Sequence, residues 1–102
     1  MVSTRLLDWD SNLTLIFAYA VLADVLGQLR DEGEFSCPRS ELGKLMEASQ
    51  KVLRWVNFAL VDEGRERRND VAHRRMDFPR EECRRYIKAI QQELIAWKIL
   101  PA

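Results

Sequence analysis

Histidine is almost missing from this sequence: His73 is the single one among 102 residues. A site built on two or more imidazole ligands from one chain is thereby excluded, and proton chemistry near neutral pH has one side chain to run through. Cysteine is scarce as well. Cys37 and Cys83 lie far apart and form no Cys-x-x-Cys pair, so a zinc site would lack ligands. They read as two thiols of a reducing compartment, with a disulfide between them left open. No metal site and no cofactor motif is expected. Four glycines and three prolines leave no room for a Gly- or Pro-rich linker, and no internal repeat or low-complexity segment is present. Net charge is zero, which excludes a uniformly basic surface that would coat nucleic acid in general.

What is present is the composition of one folded domain spanning 1–102. Hydrophobic residues make up 47% and charged residues 31%, too apolar for a disordered chain. At this length the core is adequate rather than generous, so association would help it. The charge is unevenly placed: residues 1–63 carry 6 basic and 10 acidic groups, residues 64–102 carry 10 basic and 6 acidic. A basic C-terminal half on a neutral chain points to a local anion site.

Apolar spacing predicts helices throughout, and strand-like alternation is absent. The run from Leu13 to Leu29 is interrupted by Thr14, Asp24, Gly27 and Gln28 and follows Asp8 and Asp10 rather than a basic stretch. It therefore reads as a helix of a cytoplasmic protein, not as a membrane span or signal segment. Its start is expected at Asp10, Ser11 or Asn12, and its end at Gly33. Apolar residues go almost all the way round it, which predicts burial on more than one side, in the middle of a bundle or in a homodimer interface. Asp24, isolated among them, either reaches the surface or pairs with an arginine.

A second block opens at Pro38 to Ser40, with Ser40 as the cap. Its stripe of Leu42, Leu45, Met46, Val52, Leu53, Val56 and Leu60 permits one long helix to Arg75, with Ser49 and Gly64 as the expected interruptions. The last helix begins at Pro79, with Glu81 and Glu82 in its first turn and Tyr86, Ile87, Ile90, Leu94, Trp97 and Ile99 on one face. The expected fold is all-α, a four- or five-helix up-and-down bundle.

Residues 68–73 read Arg-Asn-Asp-Val-Ala-His. On a helix Asn69 and His73 share a face, and Arg65 and Arg68 stand on the neighbouring ridge. An imidazole, an amide and fixed positive charges are what phosphoryl chemistry on RNA needs without a metal. With one His, three Asn and twelve Arg in the chain, this joint spacing arises in roughly 0.4% of shuffled sequences. The hexapeptide resembles the Arg-Asn-x-x-x-His signature of the HEPN superfamily, small all-helical domains found in many prokaryotic toxins and phage-defence ribonucleases.

The resemblance implies a metal-independent endoribonuclease or an RNA-binding domain, in which the 2′-hydroxyl attacks and a 2′,3′-cyclic phosphate results. It gives His73 the acid or base role, Arg68 the scissile phosphate, and Asn69 the orientation of His73 or the phosphate. Two copies of such a motif usually face one another across a symmetric dimer. Arg65, Arg74 and Arg75 become expected RNA contacts, and an antitoxin becomes a possible partner. In one respect the chain departs from the pattern. Several toxin families carry a Tyr two residues after the His, where a partner nucleotidyltransferase modifies it, but Arg75 stands here and puts such a partner in doubt.

Two other readings compete. Residues 40–57 resemble a DNA-binding helix-turn-helix, with Gln50, Lys51, Arg54 and Asn57 available to a groove, although Glu47 occupies the place of the turn glycine. In the other, Arg65, Arg67, Arg68, Arg74 and Arg75 form a solvated helix face balanced by Glu63, Glu66 and Asp70, and the protein is a non-catalytic interaction module.

Overall fold

The computed structural model describes the backbone of residues 4–74 and 79–101, and the side chains of residues 13–69 and 79–101. Four helices form: α1 (Thr4–Asp31), α2 (Leu42–Ser49), α3 (Phe58–Arg74) and α4 (Arg80–Ala96). No strand occurs among the described residues, so the all-α bundle expected from periodicity is what the chain adopts.

Helix α1 is 28 residues, which at 1.5 Å per residue is about 42 Å and sets the 48 Å long dimension of the molecule. It starts earlier than the polar residues at 10–12 suggested. Those residues cap well but do not forbid helix, and Leu6, Leu7 and Trp9 upstream continue the pattern. Its end follows the sequence signal. Gly33 adopts φ 87°, and the amides of Gly33 and Glu34 reach back to the carbonyls of Arg30 and Leu29 at 2.9 and 3.0 Å. That pair of bonds satisfies carbonyls the helix end would otherwise leave open.

Leu15, Tyr19, Leu22 and Leu26 point from α1 into the core, where they meet Leu45 and Met46 of α2, Val61 of α3 and Cys83, Tyr86, Ile90 and Leu94 of α4. α1 lies mainly along α4, while α3 rests on α4 and α2. The opposite side of α1 is open: Leu13, Ile16 and Phe17 are exposed, Phe17 by 69%. Within the single chain, then, the described part of this helix, from Leu13 on, turns one side to the core and leaves the other open. By length and composition its stretch Leu13–Asp31 would also suffice to cross a membrane. Asp24 reaches the surface.

The second block breaks where Ser49 stands. Its hydroxyl turns back to the Met46 carbonyl at 2.9 Å and takes the Trp55 indole N–H at 3.3 Å, so the chain leaves the helix there. Ser40 is not the cap of α2. Glu41 holds that position without a side-chain bond, and the Ser40 hydroxyl instead accepts from Arg30 at 3.3 Å. Gly64 interrupts nothing; it lies buried inside α3.

The start of α3 is fixed from two directions. Asn57 Oδ1 accepts the Leu60 amide at 3.2 Å, an ordinary N-cap. The carboxylate of Glu93, fully buried on α4, accepts the amides of Val56 and Asn57 at 2.6 and 2.7 Å. A buried carboxylate is tolerated because two N–H donors and the positive end of a helix surround it. Nearby, Trp55 packs edge-on against Phe58 and Trp97, with ring centres 5.0 and 4.7 Å away.

Candidate functional site

The site grows from the contact between α1 and α3. Tyr19 is completely buried, so its hydroxyl needs a partner, and it donates to the Val61 carbonyl at 2.8 Å. Such an approach of an aromatic residue to a helix backbone requires a missing side chain. Gly64 provides it: a Cβ there would collide with the Tyr19 hydroxyl and lie 2.6 Å from Cδ1 of Tyr86. One turn beyond, the Arg68 guanidinium sits over the Tyr19 ring, 5.5 Å from its centre. Arg68 Nη2 also donates to Asn69 Oδ1 at 3.2 Å. The two motif residues are thus joined to each other, half-buried, and backed by an aromatic face.

The arginines around Arg68 are treated differently. Arg65 donates through Nε to Asp62 at 2.9 Å, lies 3.7 Å from Glu66, and packs its guanidinium where Gly43 of α2 leaves space. Arg67 bridges to α4, donating to Glu82 at 3.0 Å and to the Tyr86 hydroxyl at 3.3 Å; these partners hold its pKa above the ordinary guanidinium value. Tyr86 in turn donates to Glu63 at 2.8 Å. Among the described residues Arg68 alone of the three has no carboxylate within ion-pair distance. The described contacts of its charge are a ring face and an amide oxygen.

Burial pushes the Tyr19 hydroxyl far above the usual phenol range; Tyr86 nearby adds to this, while Arg68 and Arg65 pull the other way. Burial, followed by the bond to Glu63, raises Tyr86 too. Both rings are therefore neutral hydrogen-bond donors at any ordinary pH.

His73 and Arg74 belong to α3, but their side chains lie outside the described residues, as does that of Asp70; Arg75 lies outside them entirely. Of the residues singled out from sequence, the structure brings Arg68 and Asn69 together and turns Arg65 toward α2. Tyr19 was not legible as part of this site. It stands 49 positions before Arg68, and its only signal was the one phenol of a largely apolar helix.

The four residues offered to a DNA groove do not share a helix. Residues 50–57 run in turns, Asn57 caps α3, and the Arg54 carbonyl holds the Trp97 indole at 3.1 Å. Neither cysteine is in a disulfide; Cys83 is buried and Cys37 half-buried. Among the described residues no group of three or more His, Cys, Asp or Glu stands together as a metal cage. Comparison of the chain with protein-family models, with characterised proteins and with solved structures finds no match.

Proposed function

We propose that this chain is a HEPN-like, metal-independent endoribonuclease or RNA-binding domain, working as a homodimer in the cytoplasm, of the kind used in toxin–antitoxin or phage-defence systems. The observation that carries the reading is the state of Arg68. It is half-buried, fixed by Asn69 and Tyr19, and among the described residues meets no carboxylate, while Arg65 and Arg67 are both paired with acids. A preorganised guanidinium of that kind is what a phosphate diester needs, since Asn69 takes a single donor at Nη2 and the planar fork suits a bidentate grip.

In this reading the phosphate of a single-stranded RNA lies against Arg68, with the Asn69 amide donating to it or to His73. One His73 imidazole takes the proton of the 2′-hydroxyl as that oxygen attacks phosphorus. The P–O5′ bond breaks, and a protonated His73 from the second copy gives its proton to the departing 5′-oxygen. A 2′,3′-cyclic phosphate and a 5′-hydroxyl result. Arg74 and Arg75 would extend the grip to neighbouring phosphates. Arg65, already held by Asp62, adds less than the sequence alone suggests. The exposed Leu13, Ile16 and Phe17 on α1 supply an apolar face for the second copy.

The experiment is cleavage of a short single-stranded RNA in the presence of EDTA, with Arg68→Ala and His73→Gln. Expected are a rate loss of two orders of magnitude or more for both, weaker RNA binding for Arg68→Ala alone, and a bell-shaped wild-type pH profile around neutrality that His73→Gln flattens. Wild-type cleavage by folded His73→Gln, or a magnesium requirement, would sink the mechanism. The same exposed stripe on α1 favours, as second reading, a non-catalytic interaction module, and indifference of every RNA readout to both substitutions would select it.

A further inference from the structure

We propose that Tyr19 is a positioning residue of the anion site, its ring acting as the platform that holds the Arg68 guanidinium in place for a phosphate; this rests on the reading of Arg68 given above. Tyr19 is fully buried and cannot swing away. Its hydroxyl is anchored to the Val61 carbonyl at 2.8 Å and lies, beside the Tyr86 ring, in the gap left by Gly64. The platform is therefore built into the contact of two helices rather than laid on a surface.

Above it, the Arg68 carbon Cζ lies 5.5 Å from the ring centre, inside the range where a guanidinium is attracted to an aromatic face. Asn69 takes one donor at Nη2. Two contacts of different kinds, one on the flat face and one at the edge, restrict the side chain's many rotamers before any ligand arrives. A neutral ring achieves this without cancelling the charge, whereas a carboxylate in the same place would compete with the phosphate. The contrast with Arg65 and Arg67, which lie three residues before and one residue before Arg68 and are both tied to acids, is what gives Tyr19 its role.

The test is the affinity of the full-length protein for a short all-2′-O-methyl RNA oligonucleotide, which cannot be cleaved. Tyr19→Phe keeps the ring and should bind within about twofold of wild type, while Tyr19→Leu should bind roughly three- to thirtyfold more weakly. Because leucine at a buried contact can fail to fold, the deciding series replaces Tyr19 with phenylalanine carrying one, two or three ring fluorines. These keep the shape of the ring and progressively weaken its negative face. Affinity should fall stepwise along the series, and the Arg68 Nε–H resonance should lose its ring-current shift in Tyr19→Leu where that variant folds. A flat series beside a strong loss in Arg68→Ala would overturn the positioning role and leave the anion site standing. Wild-type affinity in Arg68→Ala would overturn the anion site itself, and this inference with it.

Discussion

Glu93 is the residue whose loss should be felt most widely. Its two oxygens each accept one backbone amide, at 2.6 and 2.7 Å, and it is wholly out of solvent. Glu93→Gln conserves size but offers one acceptor in place of two, and its amide group then faces an N–H that it cannot satisfy. Lost charge-assisted bonding and the orphaned donor together should cost about 2–3 kcal/mol. A urea midpoint lowered to that extent, with an unchanged m-value, is the expected result. An unchanged midpoint would mean that water or a neighbouring group replaces the clamp without loss. Lys98 shows the opposite situation. It takes φ 63° to close α4, with its amide on the Ile95 carbonyl at 3.0 Å and that of Ile99 on Leu94 at 2.8 Å, a job glycine does at less steric cost.

At the scale of elements, the crossing of α1, α3 and α4 is set by Gly64. Alanine is the better helix former by up to about 1 kcal/mol, so on an isolated helix Gly64→Ala would stabilise. Here the added carbon would lie 2.6 Å from Tyr86 Cδ1 and against the Tyr19 hydroxyl, both on rings that are fully buried. Overpacking of this kind costs about 1–3 kcal/mol and outweighs the propensity gain. We expect a net loss of about 1–2 kcal/mol, seen as a Tm lowered by several degrees. A Tm equal to wild type or higher would show that the helices separate freely at this point, and that the Tyr19 platform is looser than its geometry implies.

At the scale of the whole molecule, the two tyrosines make stability sensitive to alkali. Burial raises both above the ordinary value, so ionisation is resisted in the folded state and occurs first in the unfolded one. The sign follows: their contribution is complete below about pH 10 and is lost as pH climbs beyond it. Tyr19 and Tyr86 are the only tyrosines of the chain, so phenolate absorbance reports on this contact alone. It should stay suppressed at pH 10 and then rise together with loss of helical circular dichroism. Half-ionisation near pH 10 in a protein whose helices remain intact would contradict the packing described.

Much of this architecture follows from local chemistry, which the sequence carries by itself. Helical periodicity, the left-handed turn at Gly33, the break at Ser49 and the start of α4 after Pro79 depend on a few neighbouring residues, and all were legible. So was the neighbourhood of Arg68 and Asn69, because residues adjacent on one helix stay adjacent in any fold. Legibility failed where partners are distant in sequence. Gly64 reads as a helix breaker until Tyr19 and Tyr86 are seen to occupy its missing side chain. Arg65 and Arg68 look alike until one is found against Gly43 of α2 and the other over a ring of α1. Glu93 looks like a surface acid until the amides of Val56 and Asn57 close on it. Sequence determined which helices form and which charges lie along α3. Only tertiary packing decided that Arg67 is tied to an acid of α4 while Arg68 is laid over a ring of α1, because those pairings depend on what another helix brings to within about 3–6 Å.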